Sequence, residues 1–191
     1  IYKDLYLEFS SSLDPKAEIF GLGERTRPGG LALPRDGTRE AIWARDIAAL
    51  NTDQNLYGSH PFFLQMSPGG AAHGVLLMSS SGMDLEARSG SFTYRVLGGV
   101  IDLYFFPGPT PEDVVRQYAA AVGKPAMPPL WSLGFHQSRW GYSSLHDLRE
   151  VVQGYRAAGI PLDTIWSDID YMQGYRDFTF DRQSFPVQDM R

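Results

Sequence analysis

The sequence predicts a mixed fold in two parts, an antiparallel β-sandwich followed by two parallel strands joined by a helix. Short β-branched and aromatic runs, separated by Gly, Pro, Asn and Asp, continue to about residue 106, and strand and helix patterns alternate later. Between the two patterns, three of the five residues from Pro125 to Pro129 are prolines, which neither a helix nor a central strand accommodates. The predicted domains are therefore residues 1–125 and 126–191.

The strand pattern of the first domain is found in five segments: residues 5–9, 62–66, 74–78, 92–97 and 100–106. Gly98 and Gly99 separate the last two segments, and both accept a positive φ, so the sequence predicts a tight hairpin there. The Gly- and Pro-rich residues 25–38 predict a long surface loop.

Cap residues predict two helices. Thr110 as N-cap, Pro111 at the first helical position and Gly123 after the end predict a helix over residues 110–122. Ser144 and Asp147 resemble a capping box that opens a second helix, which closes at Gly159.

Two strands flank the second helix in the predicted second domain. Residues 131–137 predict a buried strand, and residues 164–169 predict the next one. A strand, a crossover helix and a strand of these lengths predict a βαβ unit with parallel strands.

Asp168 and Asp170 end the last predicted strand. Strand alternation predicts that both carboxylates project from the same face, at a strand end where a polar ligand meets them. Their separation of roughly 6.6 Å is in the range of an acid and base pair, but groups on one face approach a bond from one side. At least one of them is therefore expected to be a binding or structural group.

Composition excludes several classes of function. The net charge of -5 and the pI of about 5.3 argue against a nucleic-acid or anionic membrane surface, and 43% hydrophobic residues suffice for a packed core. Without cysteine there is no disulfide or thiolate site, and His60, His73 and His146 lack ligand spacing. We therefore expect no metal and no cofactor. No apolar run approaches the roughly 18 residues of a membrane span.

Several ordered motifs carry a family resemblance. They include Tyr-Gly-Ser-His-Pro-Phe-Phe at 57–63, Leu-Gly-Phe-His-Gln-Ser-Arg-Trp-Gly-Tyr at 133–142 and Trp-Ser-Asp-Ile-Asp-Tyr-Met at 166–172, with further matches at 72–78, 98–112 and 176–181. From about residue 19 onwards the chain resembles the α-glucosidases and α-xylosidases of glycoside hydrolase family 31.

The resemblance implies an N-terminal β-sandwich that leads into a (β/α)8 TIM barrel. A whole barrel takes about 250 residues, so the barrel is expected to be truncated after its second strand. The family's nucleophile motif, Trp-x-Asp-Met-Asn-Glu, and its acid/base Asp lie on later strands, and neither motif occurs in these residues. The resemblance therefore implies an N-terminal fragment with no catalytic residue in this chain, and the absence of an initiator Met fits that expectation.

The resemblance also implies a set of sugar-binding residues. Asp168 matches an Asp that accepts hydrogen bonds from sugar hydroxyls, and Ile169 matches a wall residue beside it. Trp140 matches an aromatic residue that packs against the sugar, and Asp46 matches an Asp on a sandwich loop over the barrel mouth. His136 is expected to be structural.

The function implied is that of part of a retaining exo-acting α-glucosidase, which hydrolyses terminal α-linked glucose from oligosaccharides. Its expected partner is an oligosaccharide or α-glucoside, and the chain is expected to be inactive alone. The resemblance suggests a secreted, cell-wall, lysosomal or vacuolar compartment. Two alternatives stay open: an α-xylosidase of the same family, and a non-catalytic carbohydrate-binding or assembly module.

Overall fold

The computed structural model of the protein describes residues 1–48, 50 and 53–190. The contacts of the chain divide it into two units, Ile1–Lys124 and Pro125–Arg191.

Antiparallel strands and one helix form the first unit. The strands are β1 (Tyr2–Lys3), β2 (Tyr6–Ser12), β3 (Glu18–Gly21), β4 (Asp36–Ile42), β5 (Phe62–Met66), β6 (Ala72–Leu77), β7 (Met83–Arg88), β8 (Ser91–Val96) and β9 (Leu103–Phe106), and the helix is α1 (Pro111–Val122). One sheet has the strand order β1-β2-β8-β7-β4, and the other has the order β3-β5-β6-β9. Each neighbouring pair is antiparallel.

The core of the first unit lies between these sheets. Ile19 and Phe63 from one sheet and Leu85 and Phe92 from the other belong to a single buried cluster, and the rings of Phe63 and Phe92 lie 4.9 Å apart. Side chains that interdigitate between two sheets define a sandwich, so the predicted β-sandwich is confirmed.

Helix α1 covers the other face of the four-stranded sheet. Thr110 caps it by accepting a hydrogen bond from the Asp113 amide, as the sequence predicts. Val114 is completely buried in a cluster with Leu76 and Phe106, so the helix has a core of its own against the sheet.

The predicted hairpin at Gly98 and Gly99 is wrong. Both glycines do adopt positive φ, at +83° and +85°. However, β8 pairs with β2 and β7, whereas β9 pairs with β6 in the other sheet. The turn therefore passes the chain from one sheet to the other, because β9 buries Phe106 in the cluster beneath α1.

The sequence also fails to predict β1, β3, β4 and β7. Strand β4 begins at Asp36, inside the predicted surface loop. Charged residues in β4 and β7 interrupt the alternation of apolar and polar residues that predicts a strand. The buried charges among them are paired. Glu40 is 3% exposed and accepts two hydrogen bonds from the Arg27 guanidinium, at 2.9 and 2.6 Å. Glu86 forms a salt bridge with Arg95 at 2.8 Å.

The second unit contains a short parallel strand pair. Strand β10 (His136–Gln137) and strand β11 (Thr164–Ile165) are joined by helix α2 (Leu145–Ala157), which confirms the predicted βαβ connection. Ser144 caps α2 through the Asp147 amide, as predicted. Tyr142, Leu148 and Phe185 form the buried centre of this unit.

Both strands of the pair are shorter than the sequence predicts. Residues 130–133 form a 3₁₀ turn rather than a buried strand, and Trp131 and Leu133 are 57% and 69% exposed. Strand β11 ends at Ile165, and Asp168–Tyr171 forms another 3₁₀ turn. Apolar runs alone do not distinguish a strand from an irregular segment, which explains both errors.

In the part of the chain that the structure describes, no helix has the length and apolar character needed to cross a membrane.

Candidate functional site

The carboxyl ends of β10 and β11 meet at one edge of the pair because the strands are parallel. The Trp166 amide donates to the Gln137 carbonyl at 3.0 Å, which extends the pairing by one step beyond the strands. The loop that carries Trp140 follows β10, and the turn that begins at Asp168 follows β11. Three of the predicted site residues, Asp168, Ile169 and Trp140, thus come from adjacent connections.

Asp168 has a left-handed backbone with a φ of +47°. For a residue other than glycine this conformation costs about 1 kcal/mol, and Asp tolerates it best through a local hydrogen bond. Its own Oδ1 accepts such a bond from the Ile169 amide at 2.8 Å. Five other non-glycine residues of the described chain also have a positive φ, so Asp168 is distinguished by its place at the strand edge together with this conformation.

The expectation that Asp168 and Asp170 share a strand face is wrong. Both residues lie in a 3₁₀ turn with about three residues per turn, so side chains two positions apart point in different directions. The Oδ2 atom of Asp170 accepts a hydrogen bond from the Gly141 amide at 2.9 Å, next to Trp140. The two carboxylates therefore have different surroundings and different partners.

Trp140 presents an exposed indole on a well-anchored loop. Its side chain is 67% exposed, whereas the nearby Tyr142 is only 7% exposed. Gln137 donates to the Tyr142 hydroxyl at 2.9 Å and accepts from the Tyr155 hydroxyl at 2.6 Å, which ties the loop to α2. A flat apolar ring in this setting suits contact with the C–H face of a sugar. Ile169, 38% exposed, adds an apolar surface next to Asp168.

Both ring nitrogens of His136 bond the protein itself. The Trp166 indole N–H donates to His136 Nδ1 at 2.9 Å, so this nitrogen is an acceptor and Nε2 is left to bond the Ser132 carbonyl at 3.1 Å. The sequence alone does not identify Trp166 and Gln137 as supports of this edge. The signal was present, because an indole N–H near a strand end needs an acceptor.

Asp46 lies in the first unit, on the loop after β4, and its side chain is exposed. The Tyr57 hydroxyl donates to Asp46 Oδ1 at 2.7 Å, and this bond raises the pKa of Tyr57 above its usual value. Neighbouring backbone is held by a bond of 2.7 Å from the Arg45 amide to the Leu56 carbonyl. Tyr57 belongs to one of the family motifs, but nothing in the sequence predicts its contact with Asp46. That Asp46 reaches the same sugar as Asp168 stays a prediction.

Among residues 1–48, 50 and 53–190, no group of three or more His, Cys, Asp or Glu side chains is arranged to hold a metal ion.

Two family models match the chain in succession. Residues 2–86 match the glycosyl hydrolase 31 N-terminal galactose mutarotase-like domain, and residues 125–191 match the glycosyl hydrolases family 31 TIM-barrel domain. The βαβ unit therefore represents the start of a TIM barrel, and the predicted fold class is confirmed in both parts.

Curated relatives match over almost the whole chain. A probable alpha-glucosidase of Oryza sativa subsp. japonica is 51% identical over 100% of this chain and 22% of its own length. Alpha-xylosidase 1 of Arabidopsis thaliana is 46% identical, with 97% and 20% covered, and lysosomal alpha-glucosidase of Rattus norvegicus is 48% identical, with 96% and 19% covered. The chain thus spans about a fifth of the length of these relatives.

Solved structures share the same fold. A glucosidase II alpha subunit superimposes with a TM-score of 0.81 at 26% identity, covering 94% of this chain and 22% of its own. A Family 31 alpha-glucosidase from Bacteroides thetaiotaomicron gives a TM-score of 0.78 at 31% identity, with 94% and 30% covered. The two domain models, the relatives and the fold agree, and the chain belongs to glycoside hydrolase family 31.

Proposed function

We propose that the full-length protein carrying this chain is a retaining exo-acting α-glucosidase, which releases terminal α-linked glucose from oligosaccharides. In this proposal residues 1–125 form the N-terminal sandwich with its connecting helix, and residues 126–191 form the first βαβ unit of the catalytic barrel. The nucleophile and the acid/base lie outside these residues, so this chain supplies only part of the sugar-binding wall.

The observation that carries the proposal is the left-handed turn at Asp168, which lies at the carboxyl edge of the parallel pair beside the Trp140 loop. Barrel enzymes place their substrate-binding groups at this edge. A carboxylate only accepts hydrogen bonds, so Asp168 gathers sugar hydroxyls through charge-assisted bonds. A sugar that lacks these hydroxyls leaves the carboxylate unpaired, which costs about 1–3 kcal/mol or more.

The other proposed site residues complete the wall. Trp140 packs its exposed ring against the C–H face of the sugar, and Ile169 limits the space beside Asp168. Asp46 is the fourth proposed sugar-binding residue, and within its own unit it accepts a hydrogen bond from the Tyr57 hydroxyl. The ligand of this wall is an oligosaccharide or an α-glucoside.

Release of glucose from maltose by the full-length protein tests the proposal. We expect turnover by the full-length protein and none by the purified 191-residue chain, which lacks the catalytic motifs. Glucose release by the short chain would contradict this division of roles. Failure of the full-length protein to cleave any α-glucoside would contradict the proposed activity.

A second candidate is an α-xylosidase. The 46% identity to alpha-xylosidase 1 of Arabidopsis thaliana is close to the 47% identity to the alpha-glucosidase of Hordeum vulgare, so similarity in this region does not separate the two. Xylosides lack the hydroxymethyl group of glucosides, and the ratio of kcat/KM values for aryl α-glucoside and aryl α-xyloside separates the candidates. A ratio above one supports the glucosidase.

A non-catalytic role as a carbohydrate-binding or assembly module predicts a different result. The first unit would then bind maltose or starch without the second. Titration calorimetry of residues 1–125 with these sugars tests that role, and the glucosidase proposal expects little heat because Asp168 and Trp140 are absent from that segment.

A further inference from the structure

Asp170 lies within the proposed sugar-binding edge, yet its carboxylate is engaged by the protein itself. We propose that Asp170 is a positioning residue that holds the Trp140 loop against the Asp168 turn, an inference that rests on the proposed function. It assigns separate tasks to the two neighbouring carboxylates: Asp168 binds the sugar, and Asp170 aligns the two walls that surround it.

The bond between Asp170 and Gly141 joins the two connections directly. Asp170 is half-buried in the same 3₁₀ turn that Asp168 begins, and its Oδ2 accepts from the Gly141 amide at 2.9 Å. One side chain therefore links the turn that carries the sugar-binding carboxylate to the peptide that follows Trp140.

Gly141 makes this bond important for the position of Trp140. The φ angle of Gly141 is +112°, a backbone conformation that residues with a side chain rarely adopt. A Cβ at this position would meet no atom within 4 Å. Gly141 has no side chain to hold its peptide, so the hydrogen bond to Asp170 restrains the peptide on the Trp140 side, in addition to the anchoring of the loop by buried Tyr142. Without that bond the exposed indole of Trp140 gains freedom, and a displacement of about 1 Å is enough to weaken a positioned contact.

Asp163 makes the same kind of bond at the opposite end of the strand pair. Its Oδ2 accepts from the Phe135 amide at 2.8 Å, immediately before β10, and Asp163 itself immediately precedes β11. Residues at the amino end of barrel strands serve stability, whereas residues at the carboxyl end serve function. Asp163 is therefore a matched control. It makes the same kind of bond as Asp170, but loss of that bond is expected to affect stability and not sugar binding.

The test uses the full-length protein and the inhibition constant for glucose, a neutral ligand. We expect Asp170→Ala to weaken glucose binding about tenfold, equivalent to about 1.4 kcal/mol. Asp170→Asn keeps an oxygen acceptor for the Gly141 amide and is expected to recover most of the affinity. Asp163→Ala is expected to lower Tm and to leave the glucose constant within about twofold of the wild-type value, since its bond lies away from the sugar.

Tryptophan fluorescence gives a second readout that a general loss of stability does not reproduce. The part of the emission change on glucose binding that comes from Trp140 is the part that disappears in Trp140→Phe. At saturating glucose we expect this Trp140 signal to be smaller in Asp170→Ala than in the wild type. In Asp170→Asn we expect it to return. If Asp170→Ala does not fold, Asp170→Glu serves instead, because it keeps the charge and moves the acceptor by one methylene. We then expect an intermediate loss of affinity.

Unchanged glucose affinity in Asp170→Ala would overturn the inference, as would an equal loss in Asp170→Ala and Asp163→Ala. Asp168→Gly distinguishes this result from failure of the proposed function. If Asp168→Gly loses glucose binding and Asp170→Ala keeps it, the positioning role alone is wrong. If Asp168→Gly binds glucose normally, the sugar-binding edge itself is wrong.

Discussion

Backbone conformation at single residues separates the roles of neighbouring side chains in this chain. Asp168 and Asp170 are two positions apart, yet Asp168 has a left-handed backbone and accepts from the next amide, that of Ile169, whereas Asp170 accepts from the Gly141 amide. The free energy that the left-handed conformation costs has to be offset by surrounding structure. The carboxylate of Asp168 and its backbone conformation therefore make separate contributions, to sugar binding and to stability.

Replacing Asp168 in the full-length protein separates those two contributions. Asp168→Gly removes the carboxylate, and glycine adopts the left-handed backbone without strain. We therefore expect the stability of the variant to equal or exceed that of the wild type. Two lost charge-assisted hydrogen bonds, at about 1.5–3 kcal/mol each, lower kcat/KM by at least about a hundredfold. Kinetics with maltose and thermal unfolding provide the two measurements. Exposed Asp177 offers the control Asp177→Ala, and an Asp168→Gly enzyme as active as that control would contradict the role.

Tyr57 offers a residue-scale prediction in the first unit. The hydroxyl of Tyr57 bonds Asp46, and the raised pKa of Tyr57 has that bond as its first cause. We therefore expect Asp46→Asn to lower the pKa of Tyr57 toward its ordinary value of 10.0, measured by titration of the ring signals in NMR spectra. In the full-length enzyme Tyr57→Phe is expected to raise KM only about two- to tenfold, because solvent weakens a charge-assisted bond between exposed groups. An unchanged Tyr57 titration in Asp46→Asn would show that the contact is absent in solution.

At the scale of elements, the start of helix α2 depends on ionised Asp147. Its Oδ2 accepts from the Ser143 amide at 2.9 Å and from the Ser143 hydroxyl at 2.8 Å, and bonding by Ser143 lowers the pKa of Asp147 below its ordinary value of 3.8. A lowered pKa in the folded state means that the stabilisation is complete above pH 3.8 and is lost as the pH falls through the lowered value.

Asp147→Asn tests this linkage. We expect the variant to be less stable than the wild type in urea at pH 7, and the difference to shrink once the pH lies below the lowered pKa. The same substitution at exposed Asp177 controls for a simple change of net charge. A stability difference that is constant from pH 7 to strongly acidic pH would contradict the role of the ionised carboxylate.

Helix α1 gives a second prediction at this scale, through its close approach to β6. A Cβ at Gly74 would lie 2.6 Å from Val114 Cγ1 and 2.9 Å from a ring carbon of Phe62. Overpacking of this kind costs about 1–3 kcal/mol, so we expect Gly74→Ala to lower the free energy of unfolding by that amount. Gly69→Ala is the matched control, because nothing lies within 4 Å of a Cβ there. Equal stabilities of the two variants would show that α1 does not pack on β6 as described.

Elements defined by local signals were predictable from the sequence, and those defined by distant partners were not. Thr110 and Ser144 specify helix starts because each side chain bonds an amide three residues away. The partner of β9 depends on β6 across the sheet, and no residue near Gly98 encodes it. Among the site residues, Asp168 and Trp140 were identified by motif, but the left-handed φ of Asp168 and its separation from Asp170 depend on where β11 stops.

At the scale of the whole molecule, the two units differ in how completely their own residues cover their apolar faces. The first unit closes its core between two sheets, with Phe92 completely buried. In the second unit an open hollow of about 440 Å³ borders α2 and β11, lined by Leu145, Val152 and Ile165, and Val152 is 39% exposed. Each strand of the pair also has only two residues.

Hydrogen exchange of the isolated chain is expected to reflect this difference. Amides of β8, between two neighbouring strands, exchange slowly, whereas amides of β10 and β11 exchange faster because local opening there exposes little additional apolar surface. Hydrogen–deuterium exchange followed by mass spectrometry of peptides from each segment measures these exchange rates. In the full-length protein the exchange at β10 and β11 is expected to slow, and slow exchange there in the isolated chain would contradict the prediction.

The connection between β10 and β11 has a practical consequence for enzyme engineering. One uninterrupted stretch, residues 136–170, contains Trp140, Asp168, Ile169 and Asp170, and it also contains the glutamine and the two tyrosines that anchor the Trp140 loop. This stretch is therefore a natural cassette for transplantation between a glucose-specific and a xylose-specific homologue. If substrate preference travels with the cassette, the choice between the two sugars is made here. If it stays with the recipient, the discriminating groups belong to later strands of the barrel.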